Sequence, residues 1–159
     1  MDAEHRIERA ADGGVLLLLP PAERELLLQL RAELVTLLAT EPDDPSLERL
    51  FPPAYDDKRA AAEYRRLMHD ELLAGHHEAL DVLETTADRE QLSAEEAEAW
   101  LRALNDLRLV LGTRLDVRED TFAGGLDPSD PRAQELAVYG YLTWLQDELV
   151  TALSASSDR

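Results

Sequence analysis

Ser93 to Leu115, SAEEAEAWLRALNDLRLVLGTRL, is the stretch from which the architecture is read. Ser93-Ala94-Glu95-Glu96 has the arrangement of a capping box, a hydroxyl that accepts from the third helical amide and a glutamate that reaches back, so a long helix starts here. Along it Trp100, Leu101, Leu104, Leu107, Leu111 and Leu115 recur at helical spacing, and Gly112 removes a side chain where another backbone could pass close. Arg108 falls on the same stripe as Leu101, Leu104, Leu111 and Leu115, so its guanidinium points toward the apolar seam and must find acceptors there. Asn105 and Asp106 precede it, and Gln146 lies on the inward side of the last helix. These four residues predict a partly buried polar cluster joining two helices. A network that fixes helix register is the favoured reading over a ligand pocket, and an anchor for a partner is the sharper alternative.

Outward from this helix the chain alternates helical stripes with turn signals. His5 to Arg9 and Val15 to Leu19 read as two strands around Asp12-Gly13-Gly14, predicting a β-hairpin over residues 5–19. Pro20 and Pro21 end it and open a helix through Leu26, Leu27, Leu30, Leu34, Leu37 and Leu38; Leu28 and Val35 fall outside the stripe, and burial by a second neighbour is the favoured reading over an exposed apolar strip for a partner. Pro42 and Pro45 bound a turn, after which Ser46 to Leu50 makes one helical turn before Phe51-Pro52-Pro53. A long helix from Asp57 to about Thr86 presents Ala60, Tyr64, Leu67, Met68, Leu72, Gly75, Ala79, Val82 and Leu83, with Gly75 expected at a close helix contact. Residues 116–130 form an acidic loop, and Asp130-Pro131 caps a last helix through Leu136, Tyr139, Leu142, Leu145, Leu149 and Val150. The expected fold is mainly α: a single domain over residues 1–159, with an irregular bundle of about four helices at residues 20–153 and an N-terminal β-hairpin.

Composition narrows the chemistry. The chain has 34 acidic against 16 basic residues and a formal charge of -18, which opposes approach to a polyphosphate and makes direct DNA binding unlikely on electrostatic grounds. There is no cysteine, so thiolate metal sites, cysteine nucleophiles and disulfides are outside the repertoire of these 159 residues. Val15 to Leu19 is too short for a signal or membrane segment, so a cytoplasmic protein is expected. No phosphate-binding glycine loop and no G-x-S-x-G occur, and Lys58 is the only lysine. His69 and His76 lie about 10 Å apart along one helix, too far to share an ion unaided, while His77 and Asp81 at a spacing of four could both reach one. Exposed or half-buried histidines on an acidic helix are the favoured reading of this group. No cofactor is expected. Trp100, Trp144, Tyr139 and Tyr141 read as core aromatics before they read as a binding platform.

Several blocks taken together resemble the actinobacterial domain-of-unknown-function family 2017 over nearly the whole chain: Asp12-Gly13-Gly14, Pro21 to Leu27, Leu50 to Tyr55, Trp100 to Leu115 and Tyr141 to Gln146. The resemblance implies a helical cytoplasmic protein encoded near a Clp-protease adaptor and a cysteine-synthesis cluster. It also implies kinship with an oxidation-sensing transcriptional regulator thought to act with a stress sigma factor through an intramolecular disulfide. The disulfide cannot be carried over, so this member either regulates without thiol sensing or differs in activity.

The expectation is therefore a non-enzymatic regulator of stress response or cysteine biosynthesis that meets a basic protein partner, a sigma factor or other transcription component, with Tyr55, Arg114 and Trp144 as candidate contact residues. The alternatives are an accessory factor of the Clp protease, a metal-dependent enzyme using His69, His76, His77 and Asp81, and a DNA mimic. A homodimer is left open.

Overall fold

The structure, a computed structural model, describes residues 5–51, 58–118, 121 and 127–155. Tyr55 lies outside them, as do residues 119–120 and 122–126 of the acidic loop and the tail from 156 onward; the side chains of Ala60 and Tyr64 also fall outside the description.

The hairpin forms as β1 (Ile7–Arg9) and β2 (Val15–Leu17), antiparallel with Ile7 opposite Leu17 and Arg9 opposite Val15. Gly13 takes φ 91 in the turn, a conformation open to glycine without a steric penalty. A third strand, β3 (Gln91–Leu92), pairs antiparallel with β2 and was not expected, because two residues between a turn and a cap carry no periodicity. Gly14 is where the two meet: a Cβ there would lie 2.2 Å from the Leu92 carbonyl oxygen. The inward side chains of this sheet, Ile7, Val15, Leu17 and Leu92, are buried in the core.

Four α-helices follow the expected plan: α1 (Pro21–Thr40), α2 (Lys58–Thr86), α3 (Ala94–Arg114) and α4 (Ala133–Ala155). Between α1 and α2, Pro45–Leu50 is a 3-10 segment capped by Asp44, whose carboxylate accepts from the Ser46 amide. The capping box at Ser93 and Glu96 is complete. At the other end of α3, Asp116 enters the left-handed region with φ 52 and the Val117 amide donates back to the Gly112 carbonyl, closing the helix. The start of α4 lies past Asp130-Pro131, which forms a turn: the Asp130 carboxylate accepts from the Arg132 amide.

Helix α3 is central, packed by α2, α4 and the 3-10 segment, with α1 touching it lightly and barely meeting α4. Trp100, Ala103, Leu104 and Leu107 are buried against Leu80 and Leu83 of α2 and Leu142, Leu145 and Leu149 of α4 in one core. Each such leucine contributes about 1.5–3 kcal/mol over its exposed state. Val35 packs onto this core and Leu28 is half-buried, so the second stripe of α1 is largely covered.

Three expected core positions are exposed. Leu67 is 65% accessible, Val150 is 44% accessible, and Gly75 has nothing within 4 Å of where a Cβ would sit. The stripe of α2 reaches full burial only from Ala79 onward; nearer its start the helix still meets Phe51 through His69 and α3 through His76, while Leu67 and Gly75 stay exposed, and periodicity within one helix cannot show how far around it the neighbours reach. The close approach at Gly112 is real, but what lies there is the Tyr139 ring, 2.9 Å from a Cβ position, and not a backbone.

Candidate functional site

The polar groups of α3 divide between two directions. Asp106, 4% accessible, accepts from Nδ1 of His76 on α2 at 2.7 Å, and Nε2 of the same ring lies 3.0 Å from the Leu50 carbonyl oxygen at the end of the 3-10 segment. The Leu50 carbonyl can only accept, so Nε2 donates to it, and a charged ring can donate from Nδ1 to Asp106 as well, so the arrangement favours the imidazolium form of His76. Its pKa is accordingly raised: the bond to Asp106 outweighs the burial that opposes the charge, and the Asp106 charge and the Leu50 carbonyl add to it. Phe51 stacks on His69 with ring centroids 4.3 Å apart and meets His76 edge-on at 5.5 Å. One imidazole thus ties α2, α3 and the 3-10 segment together.

The predicted network of four residues is only partly assembled. Arg108 donates to Asn105 Oδ1 at 3.1 Å, one turn back on its own helix, while its Nε is buried without a partner among the described residues. Asp106 goes to His76 instead, and half-buried Gln146 is hydrogen-bonded to neither pair. The link is therefore between α2 and α3, not between α3 and α4. The sequence signal for it was His76 itself, thirty positions from its carboxylate. Of the residues considered for an ion, His76 uses both ring nitrogens, His69 is stacked, and Asp81 accepts from Arg31 at 3.2 Å. Among the described residues no three histidine or acidic side chains converge on a point that would hold a metal.

A second polar joint went unread. Arg24 of α1 donates to the carbonyls of Leu17, Leu19, Ala87 and Arg89, holding the end of β2 and the turn after α2 on one guanidinium. Trp144 belongs to a third: the Arg6 guanidinium lies 5.9 Å from its ring centroid and bonds the Glu23 carboxylate at 3.0 and 3.1 Å. Nearby, Glu148 accepts from the Arg6 amide at 2.7 Å and from His5; burial alone would raise its pKa, but these bonds hold it below the ordinary value. The Tyr141 hydroxyl, buried beside Glu23 without a well-formed bond, has its pKa pushed up by burial and by that carboxylate. Trp144 is half-buried in this corner, and Trp100 is fully buried with its indole N–H on Thr86 Oγ1 at 2.7 Å, so both tryptophans are held by the fold.

Arg114 has a different setting. It stands exposed at the end of α3, at the edge of an open groove of about 720 Å³ between α1 and α4. Leu30 and Leu37 of α1, Leu111 of α3 and Val138 of α4 line its apolar surface, and Glu33, Glu41 and Glu135 stand on its banks. A smaller pit of about 40 Å³ opens beneath, reaching Leu34, Leu107 and Val110.

The family model described as a domain of unknown function, DUF2017, matches residues 4–153. The chain belongs to this family. It is 36% identical over 137 residues to the putative oxidative stress regulator AosR of Mycobacterium leprae, covering 74% of this chain and 62% of that one. It is 34% identical over 136 residues to the oxidative stress regulators AosR of Mycobacterium bovis and Mycobacterium tuberculosis, with the same shares covered. The chain thus spans less than two thirds of the length of these curated relatives. No solved structure matches it. Among the described residues no helix is long and apolar enough to cross a membrane.

Proposed function

We propose that this family member is a non-enzymatic regulator of transcription in stress response that acts by contact with a basic protein partner, a sigma factor or another transcription component. Its relatives' names supply the regulatory class. The observation that carries the mode of action is the charge of -18 on a helical bundle whose buried His76 and Asp106 are engaged with each other. Exposed carboxylates such as Asp70, Glu71 and Glu78 on α2 are left to the surface, where they attract cationic protein and repel nucleic acid. Without a cysteine in these 159 residues, no disulfide forms within them, and control of the contact falls to charge, protonation or the partner.

Purified sigma factors and RNA polymerase core, titrated with the chain at about 0.01 M ionic strength, test this, because the screening length there is about 30 Å. Binding that weakens steeply as salt is added is expected. If none of these components binds under conditions most favourable to charge attraction, the reading fails.

A further inference from the structure

We infer that the groove between α1 and α4, over the C-terminal end of α3, is a docking site for a basic amphipathic helix of a partner protein. The inference rests on the regulatory reading above and gives its contact a place and a chemistry. Shape comes first. Helices α1 and α4 both border α3 yet barely meet, which leaves the open groove between them. The groove follows α1 from Gln29 to Glu41, about 18 Å at 1.5 Å per residue, which accommodates about three turns of a helix lying in it. Its walls are helices and no strand edge is offered, so the mode it fits is a helix laid in a groove.

The surface then specifies the occupant's two faces. Leu30, Leu37, Leu111 and Val138 present apolar area, and the pit over Leu107 and Val110 suits one inserted apolar side chain as an anchor. Such a helix carries apolar residues at spacings of three and four on the inward side.

The sign of its outward face follows from the banks. Three carboxylates, Glu33, Glu41 and Glu135, line the groove against the single guanidinium of Arg114. Some acidic side chains near apolar surface are taken by arginines of the chain, as Glu23 is by Arg6 and Asp81 and Glu84 are by Arg31, whereas others, such as Asp70, Glu71 and Glu78, stand exposed on α2; what marks the groove is that its carboxylates border apolar area. None of the four charged groups at the groove forms an ion pair among the described residues, so the carboxylates are available to lysines or arginines of an incoming helix. A second copy of this chain, carrying the same charge of -18, meets repulsion here. Arg114, at one edge, would meet an acidic residue or the C-terminal carbonyls of the docked helix and so select its direction.

The test uses the full chain and a fluorescent helical peptide of about 18 residues, with leucine at spacings of three and four and lysine elsewhere. Thr36→Trp fills the groove from an exposed position, E33K/E135K reverses its banks, and E71K/E78K makes the same charge change on α2; circular dichroism verifies that each folds. The peptide should bind the parent chain, and its Kd should rise about tenfold or more for T36W and for E33K/E135K while changing little for E71K/E78K. Failure of the peptide to bind the parent chain overturns the inference. So does unchanged affinity in T36W, or equal loss in the two charge variants, which would reduce the effect to net charge. Self-association of the parent chain abolished by T36W would assign the groove to a second copy and overturn it too. The two readings separate cleanly: a transcription component that binds parent and T36W alike sinks the groove and leaves the regulator, whereas a groove that takes the peptide while no transcription component binds leaves the groove and sinks the regulator.

Discussion

The two ends of α3 are finished differently. From Trp100 to Leu107 every inward group has a partner: the indole bonds Thr86, Asp106 bonds His76, and the leucines are enclosed. From Leu111 to Arg114 the same helix borders an open groove, with Leu111 half-covered and Arg114 free of ion pairs among the described residues. The helix thus has its polar groups engaged at one end and leaves apolar surface and charge uncommitted at the other. The difference makes definite demands on substitution, since changes at the closed end should cost stability and changes at the open end should cost binding alone.

The largest effect is expected from His76→Ala, which strands the Asp106 carboxylate in the core and should destabilise by about 3 kcal/mol in urea denaturation. Replacing both partners, H76L/D106L, should recover much of that, since the pair's removal leaves no buried charge behind; a double variant as unstable as the single one would mean packing and not charge is at issue. Thr86→Val deprives the buried Trp100 N–H of its acceptor and should cost about 1.5 kcal/mol, again with no change in peptide affinity.

Protonation gives a smaller and graded test. Because the folded state raises the pKa of His76, the stabilisation from its charged form is fully present below the unfolded value of about 6.5 and is lost as pH rises through the higher native value. Denaturation midpoints should therefore fall across that window, and the fall should be shallower in His76→Gln. The pKa of His5 is raised by its bond to Glu148 in the same direction, so the difference between parent and variant, not the parent curve alone, isolates His76.

At the small end stand Arg108→Met and E33K/E135K. The first removes a guanidinium whose only side-chain bond among the described residues is to Asn105 and should change stability by no more than about 0.5 kcal/mol; a large loss would restore the network read from sequence. The second alters exposed charges and should likewise stay within about 0.5 kcal/mol, while its effect on the basic peptide is large.

Much of this fold was legible before any coordinates. Ser93 and Glu96, the glycines of the hairpin turn and the leucine stripes of α1, α3 and α4 each carry a local signal, because capping, positive φ and helical periodicity act within a few residues. The strand at Gln91–Leu92 carried none, and the stripe of α2 was read too broadly, since Leu67 and Gly75 match the helical pattern yet stand exposed while His76 beside Gly75 meets α3. Of the site, Arg114 was named from sequence without the groove that gives it meaning. Arg24 was missed because its four acceptors are backbone carbonyls, which every residue has and no sequence distinguishes.

Charge, the absence of thiols and the existence of amphipathic helices belong to the string of residues alone, being sums or short-range periodicities. Which partner Asp106 or Arg108 would face, and that α1 and α4 would stand apart over Leu111, were decided only when the helices took their angles around α3. A side chain's partner depends on distance in space, and in this molecule the decisive pair is separated by thirty residues of chain.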